Sequence, residues 1–252
     1  MTDDDNGGGL SAGMQAAWGL QTRPAKGPKP VLSLDRIVTA AVRIADTDGL
    51  AAVSMSKVAA EVGATAMALY RYVGNKDELL TLMVDAALGI PPEVPEPGQD
   101  WRDGLTGWAW AVSASYSRHP WALRVPISGI PALPNQFTWM DRGLRCLKDS
   151  GLDAQAQLSA ILLLSNLVRV YRTIEIDIGT AFEATGSTPD EVMAGYSRAF
   201  AVLATPERFP FLSKAIATGV LDKADPMDDE FSFGLDRVLD GIAVLISRSA
   251  PQ

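Results

Sequence analysis

Residues 54–76, SMSKVAAEVGATAMALYRYVGNK, carry the side chains best suited to meeting a charged polymer. Ser54, Ser56 and Lys57 bring hydroxyls and a cation to the start of one short segment, where helix amides also point outward; that is the chemistry of a phosphate contact. Thr65, Ala66 and Met67 open a second segment, and the last two can touch a thymine methyl. Tyr70, Arg71 and Tyr72 add two hydroxyls and a guanidinium within one helical turn, and Lys76 adds a further cation. Leu69, in their midst, is apolar and packs inside. Such a set fits a helix whose exposed face enters a DNA major groove.

Local signals place these residues on helices. Ser54 is a suitable N-cap, and Met55, Val58, Ala59 and Val62 recur at helical spacing behind it. Gly63 provides the left-handed turn, Thr65 caps the next helix, and Gly74 ends it. A further helix runs from Lys76, Asp77 and Glu78 through 79–88. Ahead of the pair, Ser33 caps a helix with Leu34, Ile37, Val38, Ala41, Ile44 and Ala45 on one face, closed by Gly49. Helices this short bury their faces only by clustering. The spacing alone also fits an ordinary helical bundle with no nucleic-acid role.

The net charge of −8 hides a strong polarity. Residues 21–76 hold eight Lys and Arg against four Asp and Glu, whereas residues 77–252 hold fourteen against twenty-three. Positive charge is thus concentrated at the expected reading head, and the remainder would repel a duplex. Upstream, Arg23, Lys26 and Lys29 lie among prolines and a glycine, so residues 1–32 read as a flexible arm. Such an arm either follows phosphates or enters a minor groove, or touches nothing.

The stretch from Leu34 to Leu82 resembles the DNA-binding domain of the TetR family of transcriptional regulators. The resemblance rests on AVRIADTDGL at 41–50, SMSKVAAEVG at 54–63 and LYRYVGNKDEL at 69–79. FSFGLDRVLDGI at 231–242 resembles the last helix of the tetracycline-repressor-type C-terminal domain, and His119, Pro120 and Trp121 resemble the start of its linking helix. Motif position then implies phosphate contacts by Ser54, Ser56, Lys57, Tyr70, Tyr72 and Lys76. It implies base-facing positions for Thr65, Ala66 and Met67, with Arg71 on a base or a phosphate. The implied fold is all-α: a three-helix head over 33–90 and a larger ligand-binding and dimerisation domain over 91–252.

Beyond a proline-rich connection at 89–98, helices are expected from Asp100 to before Pro120, from after a loop with Pro126, Gly129, Pro131 and Pro134 to about Asp149, and from Asp153 to about Ile178. Three more are expected over 189–204, 207–218 and 228–248. Trp108, Trp110, Val112, Tyr116, His119, Phe137, Trp139, Met140, Asn166 and Arg169 offer a mostly apolar pocket with a few polar groups, or plain core. The resemblance implies that a small molecule bound there moves 79–88 and changes the separation of two heads. Leu158 and Leu162 on one helix, with Phe231, Leu235, Val238, Ile242 and Leu245 on the last, form stripes suited to association. Gly234 and Gly241 would let another helix approach closely. The resemblance favours a homodimer, whose heads about 34 Å apart would meet successive major grooves of a palindromic operator.

Other classes fit poorly. The single histidine, His119, has no partners suggesting a triad, and no Cys/His metal cluster, phosphate loop or dinucleotide fingerprint occurs. No cofactor or metal is expected. The single cysteine, Cys146, and the lack of a membrane-length apolar run suit a cytoplasmic protein. The expected activity is therefore repression released by a small-molecule effector. An activator, or a helical binding protein that does not read DNA, remains the alternative.

Overall fold

Polar side chains mark where most of the helices begin. Ser11 accepts from the amide of Met14 and opens α1 (Ala12–Ala17); Ser33 accepts from Arg36 and opens α2 (Leu34–Asp48). Ser54, Thr65 and Asn75 do the same for α3 (Met55–Glu61), α4 (Ala66–Leu69) and α5 (Lys76–Leu88). Each side-chain oxygen satisfies an amide that the first helical turn leaves unpaired. Asp100 opens α6 (Trp101–Arg118), which runs into a 3-10 turn over Pro120–Arg124 and then α7 (Pro134–Cys146). Asp153 accepts from Ala156 at 2.8 Å at the head of α8 (Ala154–Thr185). A reciprocal Thr188 and Glu191 capping box opens α9 (Pro189–Leu203), followed by α10 (Pro210–Ile216) and α11 (Met227–Ser249).

This computed structural model describes residues 10–20, 32–92, 100–127, 132–186, 188–222 and 226–249. Among them all regular structure is helical, as expected, and no helix is long and apolar enough to cross a membrane. Two units emerge: residues 1–169 with 242–252, and residues 170–241.

The first unit is built on a core of Ile37, Val38, Ala41, Ile44, Val58, Leu69, Val73, Leu79, Leu82 and Met83 from α2 to α5. Trp121, Ala122, Val125 and Leu133 complete the same core from beyond residue 91. The expected boundary at 90/91 is therefore not a break in packing. The reading head is closed on one side by the 3-10 turn that follows α6.

A second expectation changes as well. Residues 10–20, inside the segment read as a flexible arm, form α1 and its flanks, with Gly13 buried and Met14 and Ala17 packed on the core. The reason is a good cap at Ser11 and an apolar face ending in Trp18. The basic residues Arg23, Lys26 and Lys29 lie outside the described residues.

In the second unit the 170–185 part of α8 meets α11. Tyr171 packs edge-on against Phe231 at 5.8 Å, and Arg172, itself buried, reaches Asp228 at 2.8 Å. Gly234 makes that approach possible, because a β-carbon there would lie 2.7 Å from the Tyr171 hydroxyl. The glycine expected to admit another helix thus admits a tyrosine of its own chain. Gly241 has open space around its β-position.

Candidate nucleic-acid interface

The turn between α3 and α4 has the geometry its residues dictate. The Ala64 amide bonds the Ala59 carbonyl at 2.8 Å, and Gly63 adopts φ +70°, a conformation glycine takes without strain. Val58 and Leu69 are buried completely from opposite sides of this turn, which fixes the angle between the two helices. The outward face then carries Thr65, Met67, Tyr70, Arg71 and Lys76, all exposed, with Met67 at 76%. Ala66 is half-buried beneath them. Ser56 is exposed in the first turn of the preceding helix, and Ser54, whose oxygen caps that helix, still has a hydroxyl proton to donate.

Two residues expected on DNA have partners within the chain. The Tyr72 hydroxyl donates to the Leu32 carbonyl at 3.0 Å, which ties the end of α4 to the residue before α2. Lys57 donates to Asp48 at 2.6 Å and holds that carboxyl below the usual aspartate range through the hydrogen bond and its charge. Both side chains are about half exposed, so a phosphate would compete with Asp48 for Lys57.

The reading head is fastened to α6 and α7 by two carboxylates that sequence reasoning missed. Asp46 of α2 receives the Trp121 indole N–H at 2.6 Å and pairs with His119 Nδ1 at 2.8 Å. Asp85 of α5 is buried and caps α7, accepting from the Gln136 amide at 2.8 Å and the Asn135 amide at 3.3 Å. The Asn135 side chain returns a bond to the Asp85 carbonyl at 3.0 Å. Burial raises the Asp85 pKa, and the two amide bonds partly offset that. Trp139 donates to the Gly89 carbonyl at 2.9 Å, just past the end of α5. The signal that could have exposed Asp85 is a lone acid inside the apolar run LLTLMVDAAL.

Several of the residues expected to line a pocket are engaged with partners within the chain. Trp108 is buried, donates to the Trp139 carbonyl at 2.9 Å, and lies edge-on to that ring. His119 serves Asp46, and Phe137 lies edge-on to Trp18 at 5.2 Å. Arg169 donates to the carbonyls of Leu123 and Val125, and Asn166 is exposed on α8. Val112 is buried on α6, while Tyr116 and Met140 are half-buried on α6 and α7. Trp110 is half-buried on α6.

The expected association residues split in two. Phe231, Leu235 and Ile242 are buried in the chain itself, so the stripe chosen by spacing is the inward one on α11. Val238 is half-buried. Leu158, Leu162 and Leu245 are exposed, and so are Leu163, Val170, Ile174 and Ile178 along α8 and Phe233 and Val244 on α11.

Comparisons with known proteins agree with this geometry. Residues 37–83 match the family described as bacterial regulatory proteins, tetR family, and residues 94–246 match the tetracyclin repressor-like C-terminal domain. The HTH-type transcriptional repressor DrrR1 of Streptomyces coeruleorubidus is 36% identical over 257 residues, covering 98% of this chain and 90% of that protein. Apo ActR from Streptomyces coelicolor superposes with a TM-score of 0.72 at 26% identity, over 88% of this chain and all of that one. ActR in complex with actinorhodin gives 0.71 at 27% identity, over 87% and 99%.

Proposed function

This chain belongs to the TetR family of regulatory proteins, and we propose that it represses transcription as a homodimer released from a palindromic operator by a small molecule. It is a DNA-binding transcriptional regulator. The observation that carries the reading is the exposed face of Thr65, Met67, Tyr70, Arg71 and Lys76, set by a capped helix pair whose other side is wholly buried. Thr65 and Met67 face base edges, with Met67 on a thymine methyl. Tyr70 and Lys76 hold phosphates, and Arg71 reads a base or fixes the backbone. Ser54 and Ser56 add hydroxyl contacts from the start of α3.

Dimerisation uses the exposed apolar residues of α8 and α11, including Leu158, Leu162, Val170, Ile174 and Leu245. Leaving them in water is unfavourable, and a second copy of the same surface covers them. The effector binds among α6, α7 and α8, near Val112, Tyr116 and Met140, and shifts α7. Because Asp85 joins α7 to α5 and Asp46 joins the turn after α6 to α2, that shift reaches the head. By linkage, operator DNA weakens effector binding by the same factor as effector weakens operator binding. The protein acts in the cytoplasm.

Gel-shift of DNA upstream of its own gene and its neighbours tests this reading. Salt-sensitive, sequence-selective binding that actinorhodin or tetracycline reverses supports it. Actinorhodin is the first probe because ActR is solved with it. Absence of selective binding on any fragment would leave a helical binding protein that does not read DNA.

A further inference from the structure

Helix α1 is only six residues long, too short to persist unaided, so tertiary contacts must hold it. They lie at its two ends and reach different elements. At the first end the Ser11 hydroxyl donates to Glu78 Oε1, and Gly13 is pressed so close that a β-carbon would collide with that oxygen and sit 3.0 Å from the Tyr72 carbonyl oxygen. The other oxygen of Glu78 accepts from the Gly74 amide at 2.6 Å. One carboxylate therefore clamps α1 to the turn that leaves the recognition helix. At the far end Trp18 donates its indole N–H to the Ala132 carbonyl at 2.8 Å and lies edge-on to Phe137, in the first turn of α7. Ala132 is bonded in turn to Gln136, whose amide Asp85 caps.

We propose that α1 is a strap: Trp18, Gly13 and Glu78 are positioning residues that couple the start of α7 to the exit of the recognition helix. The head then has a mechanical link to α7 that bypasses the length of α5. A movement of the first turn of α7 pulls on Trp18, and through Glu78 on the 72–78 turn beside Arg71 and Lys76. Loosening at one end of α1 is therefore expected to reach the element held by the other end.

Amide hydrogen exchange on the full-length protein, without DNA or effector, reads this directly. Trp18→Ala breaks the α7 end and is expected to speed exchange of the amides of residues 72–80 by roughly ten-fold. Gly13→Val breaks the Glu78 end and is expected to speed exchange across residues 134–140. Leu20→Ala, at an exposed residue just past α1, leaves both regions unchanged. Should Trp18→Ala fail to fold, Trp18→Phe keeps a ring against Phe137, loses the bond to Ala132, and gives a smaller rise at 72–80. Faster exchange confined to the end that was mutated, in either direction, overturns the strap. Because no DNA is present, failure of the regulator reading leaves this result unaffected.

Discussion

The reading head and the unit of residues 170–241 are both helical, yet they satisfy themselves to opposite degrees. In α2 six residues are buried, whereas α9 and α10 bury none. Phe211 is 88% exposed, Val202 75% and Leu203 64%, in company with Tyr196, Leu212 and Val220. Within the head, the exposed large apolar side chains are Met67 and Tyr70, on the proposed DNA face, and Ile90, just past the end of α5. The contrast teaches that the head buries its apolar side chains within its own helices, while α9 and α10 leave large apolar side chains exposed.

The largest effect is expected where the head is tightest. Ile37→Ala should cost about 3 kcal/mol through lost burial and the cavity left behind, measured by denaturant unfolding. Phe211→Ala, on the open side of the contrast, should change monomer stability by no more than about 0.5 kcal/mol. A comparable loss for both would break the comparison.

Arg71→Ala should weaken operator binding by about 1–3 kcal/mol and relax specificity at one base pair if Arg71 reads a base. Lys76→Ala should weaken all sequences evenly and lower the salt slope by about one. Anisotropy titrations at several salt concentrations separate the two roles.

Within the second unit, Gly234→Val drives a side chain into Tyr171 and should cost about 1–3 kcal/mol by denaturant unfolding. Gly241→Val meets open space and should stay within about 0.5 kcal/mol. Equal costs would mean that the Tyr171 packing is not what Gly234 serves.

The smallest effect concerns Asp85. Its folded pKa is raised by burial, so ionising it works against the fold. Its stability contribution is full below the ordinary aspartate value of 3.8 and is lost as pH rises through the raised folded value. Asp85→Asn removes that proton linkage, and its unfolding should show a flatter pH profile just above 3.8 than the parent. An unchanged profile would place the linkage elsewhere.

Much of the head was legible because its signals are local. Ser33, Ser54 and Thr65 cap the helices expected of them, and Gly63 turns where its φ is needed. What stayed hidden depends on residues far apart in sequence. Tyr72 finds Leu32 forty residues away, Asp85 finds Gln136, and Trp18 finds Ala132. No period or cap announces such pairs. On α11, spacing revealed an apolar stripe correctly but could not say which molecule it faces. Phe231, Leu235 and Ile242 turn inward, and Phe233, Val244 and Leu245 remain outside.

The central claim is that the exposed face of α4 and the start of α5 reads DNA. Anisotropy of a labelled fragment from upstream of the gene, titrated with the full-length protein and with Arg71→Ala, tests it most directly. The account predicts saturable binding by two chains per site, weakened by salt and weakened by the substitution. Binding that is absent on every fragment, or equally strong on all sequences and indifferent to Arg71, would contradict it.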